Sequence, residues 1–399
     1  MRRFIYLFLF FISIQVTVGQ DNPKPAVFIQ PELMLGKLLP TNSNFPETST
    51  QQTYVLSVGK INYNPESKWA AYYGYPTTGL SLTHSVYGNK EVFGSGTSLM
   101  SFVSFRTSKS LKNSLHLKFG LGASYFSQHH DPEMNLKNIV IGSSFTWAFQ
   151  GGVYYLFHLR PGFSLKAGLS YLHHSNGHTQ LPNFGMNSAV ASLAAQFYLS
   201  PLSEHYFKPF EKPELEKTKD FYLSLRTGLG MHELGGADGP VGTDKKAVYS
   251  MVASGSKVVK SSLRLSAGAA YRFYQSYYDY INDNQPEEYI GNPRSSASNV
   301  YIFLGTEFLF GQVSLDVEGG INLYKPFYKK YYELYEPDPG FEETIKTWIV
   351  TRFGLKFYAI NTVKNPRNNI YLGAHINANQ GQADFTEVSL GYLLRLGAL

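Results

Sequence analysis

The two residues with the clearest capacity for chemistry are His173 and Ser175. They lie two positions apart, so in a β-strand both side chains point to the same face. An imidazole base beside a hydroxyl group is the minimum equipment for nucleophilic acyl transfer. The preceding residues on that face are apolar, namely Phe163, Leu165, Ala167, Leu169 and Tyr171. If this strand crosses a membrane, the pair faces lipid, and its substrate is itself a lipid.

A strand of this kind recurs along the whole chain. Between Val313 and Leu323, for example, apolar residues alternate with Ser314, Asp316 and Glu318. About sixteen alternating segments begin near residues 26, 50, 77, 97, 114, 138, 162, 187, 219, 245, 261, 297, 311, 346, 368 and 384. Long polar connections mostly alternate with short ones, which is typical of outer-membrane barrels. We therefore predict an all-β fold, a transmembrane antiparallel outer-membrane β-barrel of about sixteen strands.

A total of about sixteen strands is compatible with two ways of closing the sheet into barrels. The chain could form a single barrel of about sixteen strands or two eight-stranded barrels in tandem. We prefer the single barrel, because two complete barrels joined by a periplasmic linker would be unusual. If the mature N-terminus is periplasmic, the seventh segment runs outward. It then places His173 and Ser175 at the extracellular rim, with the candidate site facing the outer leaflet.

The composition supports this class of protein. The chain contains 30 Tyr, 29 Phe and 36 Gly, whereas only 16% of its residues are charged. Aromatic girdles and alternating strands without long apolar runs are typical of outer-membrane barrels. No residue is Cys, so a disulfide framework and a lipoprotein anchor are excluded. The net charge of +6 is modest, and no basic module indicates nucleic acid. The sequence does not indicate an oligomeric state.

Four segments are predicted along the chain. The N-terminus has a basic start, an apolar run from Phe4 to about Ile14 and small residues before Gln20, as in a signal peptide. A proline-containing, charged stretch later divides the chain and is typical of a linker. The predicted segments are a signal peptide at 1–19, a first barrel half at 20–200, a linker at 201–218 and a second barrel half at 219–399.

The residues around Ser175 resemble a known family. The run His173-x-Ser175-Asn176-Gly177 is followed by Pro182-Asn183-x-Gly185-x-Asn187. This pattern is similar to that of the outer-membrane lipid A 3-O-deacylases (PagL type), and especially of their larger relatives described as acyloxyacyl hydrolases. The resemblance covers about residues 26–200. It implies a bacterial outer-membrane serine esterase that removes an ester-linked acyl chain from lipid A, the membrane anchor of lipopolysaccharide, in the outer leaflet.

The resemblance also implies a role for each residue of this motif. Ser175 is the nucleophile, and His173 is the general base. The Asn176 side chain and the backbone N–H of Gly177 stabilise the oxyanion. Asn187 orients His173 at a position where the compact deacylases have Glu. An Asn can hold an imidazole tautomer, as in Cys-His-Asn proteases, but it does not offset the imidazolium charge.

The sequence leaves several alternatives open. Asn187 suffices, or Asp131 from the neighbouring loop assists His173, or the enzyme is slow or inactive; Asn183 and Gly185 are further auxiliary candidates. Five histidines in two adjacent loops could suggest a metal site, but their spacing matches no standard one: His129, His130, His173, His174 and His178. We expect neither a metal nor a cofactor. The competing function is a catalytically silent barrel that acts as a channel or structural outer-membrane protein.

Overall fold

The structure is a computed structural model that describes residues 26–64, 66–107, 113–202, 204–207, 220–241, 244–260, 262–328, 330 and 341–398. The predicted signal peptide at 1–19 lies outside these residues, and so does most of the predicted linker at 201–218. β-strands account for most of the described chain. No helix in it is long and apolar enough to cross a membrane.

The first barrel comprises, within the described residues, eight strands that pair antiparallel with their neighbours in the sequence. The last strand returns to the first, with Tyr198 opposite Phe28 and Asn187 opposite Leu39, so the sheet is closed. The strands are β1 (Ala26–Leu39), β2 (Gln51–Ile61), β3 (Thr77–Val86), β4 (Ser95–Arg106), β5 (Ser114–Phe126), β6 (Phe145–Arg160), β7 (Phe163–Ser175) and β8 (Met186–Tyr198).

The second barrel also has eight strands in the described part of the chain. Its last strand pairs with its first, with Thr386 opposite Met231 and Ala398 opposite Asp220. The strands are β9 (Asp220–His232), β10 (Lys246–Val259), β11 (Leu263–Tyr274), β12 (Ser298–Phe310), β13 (Val313–Tyr324), β14 (Ile349–Tyr358), β15 (Asn368–Asn379) and β16 (Gln382–Ala398).

The two closed barrels confirm the predicted fold class and correct the predicted number of barrels. The all-β class, the antiparallel pairing and the total of about sixteen strands are confirmed over the described residues. The preferred single barrel is wrong, and the alternative of two eight-stranded barrels is right. The physical reason is that β8 hydrogen-bonds back to β1, which leaves no free edge on which β9 could continue the sheet.

Short helices occur only in the connections of the described chain. They are α1 (Lys68–Tyr72), α2 (Gln275–Asn284), α3 (Pro293–Ser296) and α4 (Phe341–Trp348), together with 3₁₀ turns at Glu204–Phe207 and Thr362–Lys364. A two-residue ladder pairs Gly235–Gly236 with Gly239–Pro240 after β9. These elements lie at the barrel rims, where the strands reverse direction.

Both barrels are polar inside and apolar outside. In β2, Thr53 and Ser57 are buried in the lumen, whereas Leu56 and Val58 are about half exposed on the outer surface. A water-soluble sheet would bury the leucines instead. The outward apolar face therefore matches the hydrocarbon of a bilayer, as expected for an outer-membrane barrel.

Side chains fill the lumen of the second barrel. The charged residues buried there, among the described residues, include Arg226, Arg264, Arg272, Arg352, Lys356, Glu307, Asp316, Glu318 and Glu387. Arg352 lies 3.0 Å from Asp316, 3.3 Å from Glu318 and 3.0 Å from Glu387. Further ion pairs join Arg226 to Glu318, Arg264 to Glu307 and Lys356 to Asp316, so most of the charges in this polar lumen have an oppositely charged neighbour.

The barrels contact each other at both ends. At one end, the Tyr73 hydroxyl beside α1 donates a 2.6 Å hydrogen bond to the Ser262 carbonyl of the second barrel. At the other end, the indole N–H of Trp147 donates to Thr386 Oγ1 at 3.0 Å. Asn183 also donates its backbone N–H to the Ala237 carbonyl at 2.8 Å. The outer faces of the two barrels therefore form a crevice at the end where β7 finishes.

Candidate active site

The pairing of β7 with β8 places His173 directly opposite Asn187. Residues opposite each other in an antiparallel ladder have Cβ atoms only about 5 Å apart, so their side chains meet on one face. His173 Nδ1 lies 2.6 Å from Asn187 Oδ1. The strand register therefore brings together two residues that are fourteen positions apart in the sequence.

The contacts of Asn187 define the tautomer of His173. The Tyr171 hydroxyl also donates to Asn187 Oδ1, at 2.7 Å, so this oxygen accepts two hydrogen bonds. An amide oxygen has no proton to give, and His173 Nδ1 must therefore carry one. The lone pair of the imidazole is then on Nε2, where it can accept a proton. Tyr171 was not among the predicted site residues, although its position two before His173 puts it on the same face.

Ser175 Oγ accepts hydrogen bonds from two neighbouring groups. The Asn183 side-chain amide donates to it at 2.8 Å, and the Gly177 backbone N–H donates at 3.2 Å. Ser175 is buried at the end of β7, opposite Trp147 of β6. Two N–H donors thus contact the serine oxygen and fix its position at the end of the strand.

The Asn176 side chain is engaged in the loop that follows Ser175. Its amide donates to the Gln180 carbonyl at 2.6 Å, and its oxygen accepts from the Thr179 N–H at 3.2 Å. These bonds shape the turn and direct the Asn176 amide away from Ser175. The side-chain amide that contacts Ser175 Oγ is that of Asn183, whereas the predicted oxyanion residue Asn176 bonds within the loop.

Two glycines permit the close approach of the surrounding chain. Gly177 has φ of +66°, and a Cβ there would lie 2.4 Å from Thr386 Oγ1 of the second barrel. Gly185 has φ of +77°, and a Cβ there would lie 3.0 Å from Cε1 of His173. Positive φ angles favour glycine, because a side chain would be strained. Gly185 therefore packs its backbone against the imidazole, although it performs no chemistry.

Asp131 serves the turn in which it lies. Its carboxylate accepts hydrogen bonds from the backbone N–H groups of Met134 and Glu133, at 2.8 and 2.9 Å. These two donors hold the pKa of Asp131 below its usual range. The contacts found among the described residues do not join Asp131 to His173. Asn187 is thus the residue that contacts Nδ1 of the imidazole.

The five histidines do not converge on one point. His129 Nδ1 lies 2.8 Å from the His130 carbonyl, His174 bonds Ser124 inside the first barrel, and the His178 ring stacks on His232 of the second barrel. Within the described residues, no group of three or more His, Cys, Asp or Glu side chains is arranged to hold a metal ion.

The loop between β7 and β8 is fixed by the second barrel. The Leu181 N–H donates to the Glu233 carboxylate, and the Glu233 N–H donates to the His178 carbonyl at 3.3 Å. Burial raises the pKa of Glu233 and lowers that of His178. The backbone of the loop that carries Asn176, Gly177 and Asn183 is therefore held by contacts across the crevice.

His173 and Ser175 line a cavity of about 260 Å³ in this crevice. The sequence predicts that their face of β7 meets lipid, and it does lie on the outside of the first barrel. The opposite wall of the cavity, however, belongs to the second barrel. Two closed barrels with apolar outer faces define an outer-membrane β-barrel protein, and a serine and a histidine share a cavity between them.

The family comparison agrees with this class. Residues 58–196 match the family model described as "Lipid A 3-O-deacylase (PagL)". The match confirms the resemblance over most of the first barrel and includes His173, Ser175, Asn183 and Asn187. No curated protein matches the sequence.

Solved structures show likeness to outer-membrane proteins. The crystal structure of the outer membrane enzyme PagL is 16% identical, with 41% of this chain and 97% of that chain covered and a TM-score of 0.29. Pseudomonas aeruginosa OccK10 (OpdN) is 11% identical, with 94% and 100% covered and a TM-score of 0.22. A BenF-like porin from Pseudomonas fluorescens Pf-5 is 9% identical, with 94% and 99% covered and a TM-score of 0.21. Such low TM-scores support no argument about function, which leaves the family match as the relevant finding.

Proposed function

We propose that this protein is a serine esterase of the bacterial outer membrane that removes an ester-linked acyl chain from lipid A. The observation that carries the proposal is the shared cavity of Ser175 and His173, with the imidazole oriented by Asn187 at 2.6 Å. The site lies within the residues that match the lipid A deacylase family. Its position on the outer, apolar face of a barrel suits a substrate that is itself embedded in the membrane.

The chemistry follows from the positions of the polar groups. Ser175 Oγ attacks the ester carbonyl while its proton moves to His173 Nε2. The bond between the carbonyl carbon and the ester oxygen then breaks, and the departing oxygen takes that proton to become a hydroxyl group. Water, deprotonated by His173, then attacks the acyl carbon, the bond to Ser175 Oγ breaks, and Oγ takes the proton back from His173 as the fatty acid leaves. The Asn183 amide and the Gly177 N–H stabilise the oxyanion, and such a preorganised donor contributes about 3–4 kcal/mol.

The rim near Ser175 supports an outer-leaflet location. Connections 40–50, 87–94, 127–144 and 176–185 lie at this end of the first barrel. At the other end, 107–113 and 161–162 are short, and only 62–76, which carries α1, is long. In outer-membrane barrels the longer loops are extracellular and the shorter turns periplasmic. Lipid A occupies the outer leaflet, so its ester groups would be level with the site.

Mass spectrometry of lipid A tests the proposed function. A host that makes wild-type protein should yield lipid A lacking one acyl or hydroxyacyl chain, whereas a host that makes Ser175→Ala should retain it. The mass lost identifies the chain. Unchanged lipid A in both hosts, with both proteins present in the outer membrane, would contradict the assignment.

Asn187→Ala should lower kcat for ester hydrolysis by about 10²- to 10⁴-fold, as expected when a histidine loses the group that orients it. The variant removes the acceptor that Nδ1 of His173 contacts. Asn187→Asp is the matched control, because it keeps an acceptor and adds a charge that offsets the imidazolium. Its kcat should equal or exceed that of the wild type. An Asn187→Ala enzyme as active as the wild type would show that His173 is oriented by another group.

The channel hypothesis leads to a separate prediction. An eight-stranded barrel has an interior just wide enough for side chains. The second lumen holds the buried charges of Arg352 and its partners, and the first holds Glu32, Lys118 and Lys166. We therefore expect no steady ion conductance from the purified chain in a planar bilayer. Stable conductance steps, absent from a matched protein-free detergent control, would favour a channel.

A further inference from the structure

We propose that the second barrel forms the wall that binds the acyl chain, and that the small side chain of Ala378 leaves the room that a long chain needs. This inference rests on the proposed esterase function and assigns the second barrel a part in it. The first barrel supplies the reacting groups, and the second supplies the surface against which the hydrocarbon lies. Acyl-chain selectivity would then be determined by residues outside the segment that matches the deacylase family.

The cavity provides the first argument. Its catalytic side is formed by His173 and Ser175. The opposite side is formed by β14, β15, the turn after it and the start of β16, through Thr351, Phe353, Ile376, Ala378, Gly381 and Ala383. None of these six residues is charged, and only Thr351 has a polar side chain. An uncharged, mainly apolar wall next to a serine nucleophile suits the hydrocarbon of an ester substrate.

The sizes of the wall residues provide the second argument. On the same outward face of β15, Leu372 and Ile376 are bulky, but Ala378 at the end of the strand is small. On β16, Ala383 lies at the cavity, whereas Val388 and Leu390 lie further along the strand. The small residues Ala378, Gly381 and Ala383 thus lie together at one part of the wall, beside the bulkier Phe353 and Ile376. Larger residues at these positions would occupy its volume of about 260 Å³.

The fit between the barrels provides the third argument. Thr386 Oγ1 accepts from Trp147 Nε1 at 3.0 Å and donates to the Asn176 carbonyl at 3.2 Å. A Cβ on Gly177 would meet the same oxygen at 2.4 Å and Ile376 Cγ1 at 3.8 Å. The second barrel therefore packs directly on the residues that follow the nucleophile. This contact fixes the distance between the wall and Ser175.

These observations identify the occupant as an acyl chain. A sugar or phosphate group would need polar or charged partners, which the wall does not provide. A methylene group gains about fourfold in affinity when it is buried against apolar surface. The cavity is continuous with Ser175, so a chain bound there is attached to the carbonyl that the serine attacks. We therefore assign the wall to the chain of the scissile ester.

Chain-length profiles test the inference. Purified full-length protein in detergent micelles is assayed with p-nitrophenyl butyrate and p-nitrophenyl laurate. Ala378→Phe should reduce the ratio of kcat/KM for laurate to that for butyrate by at least tenfold. Ala253→Phe is the matched control, because Ala253 is exposed on the outer face of the same barrel and does not line the cavity. Its ratio should remain that of the wild type.

A second variant keeps the test decisive if Ala378→Phe does not fold. Phe353→Ala enlarges the cavity and should raise kcat/KM for p-nitrophenyl palmitate relative to laurate. Equal chain-length ratios in the wild type and in whichever of the two wall variants folds would overturn the inference. In that case the acyl chain lies along another surface of the first barrel, although the esterase function stands.

Failure of the esterase function is recognised separately. In that case wild-type protein and Ser175→Ala hydrolyse neither ester. Photocrosslinking of Ser175→Ala with a diazirine-bearing fatty acid then identifies the peptides that contact the acyl chain, without requiring turnover. Labels on the peptides of β14–β16 that line the cavity would support acyl binding there. Labels spread evenly over both outer surfaces would overturn it.

Discussion

Ser175→Ala is expected to reduce kcat/KM for p-nitrophenyl butyrate by roughly 10⁴- to 10⁶-fold, the range seen when a catalytic serine is removed. The variant deletes the oxygen that receives hydrogen bonds from Asn183 and Gly177. The two donors and the cavity remain, so any residual rate comes from binding and oxyanion stabilisation alone. Steady-state hydrolysis by the purified full-length chain in micelles provides the measurement.

The matched control for this loss is Ser101→Ala. Ser101 lies on β4 and donates its hydroxyl to the Leu121 carbonyl at 3.1 Å, away from the cavity. The control should hydrolyse the ester at the wild-type rate, because it changes a serine without touching the site. Comparable activity of Ser175→Ala and Ser101→Ala would identify another nucleophile and refute the role of Ser175.

Arg352→Met should reduce the free energy of unfolding by about 3–5 kcal/mol, as expected when one partner of a buried ion network is removed. The guanidinium of Arg352 lies within 3.3 Å of carboxylate oxygens from Asp316, Glu318 and Glu387. Without it, these buried carboxylates lose a shared cation and repel one another. Met has similar length and bulk, so the effect reports lost charge compensation more than lost volume.

Urea unfolding followed by circular dichroism in micelles would measure this change. Lys257→Met is the control, because it also removes one positive charge but lies on the exposed outer face of β10. It should change stability by less than about 0.5 kcal/mol, as is usual for surface substitutions. Equal midpoints for the two variants would show that the network around Arg352 contributes little to the stability of the second barrel.

The strands were predictable because polar and apolar residues alternate in the sequence as the lumen and outer faces alternate along each strand. The predicted segment starts at 26, 77, 114 and 368 coincide with the first residues of β1, β3, β5 and β15. The largest displacement is in β6, which was predicted to begin near 138 and begins at Phe145. There, Val140 and Ile141 are buried with Phe93 and Phe126 under the rim. Their apolar character indicates burial, but in a loop.

The choice between one sixteen-stranded barrel and two eight-stranded barrels could not be predicted from the alternation of polar and apolar residues. A strand in a sixteen-stranded barrel and one in an eight-stranded barrel have the same polar lumen face and apolar lipid face. The difference lies in the pairing of β1 with β8, which joins residues 148 to 170 positions apart, from Leu39 with Asn187 to Phe28 with Tyr198. The same limit applies to the crevice. An apolar outer face has the same sequence pattern whether lipid or another barrel covers it.

At the site, the strand residues were easier to predict than the loop residues. His173 and Asn187 are related by strand register, so their meeting follows once β7 and β8 are recognised. Asn176 and Asn183 are chemically identical, and only the path of the loop decides which amide turns toward Ser175. That path depends on hydrogen bonds to Ala237 and Glu233 of the second barrel, which are not local in the sequence.

The closure of each barrel on itself has a consequence for biogenesis. Each hydrogen-bond ladder is complete without the other, so the first barrel can finish its own strand pairing before the second does. The loop that carries Asn183, however, is held by hydrogen bonds from the second barrel, and the wall meets Ser175 only where the barrels contact each other near Thr386. The active site would therefore be completed last, after membrane insertion, and a partly assembled chain would not hydrolyse the lipids around it.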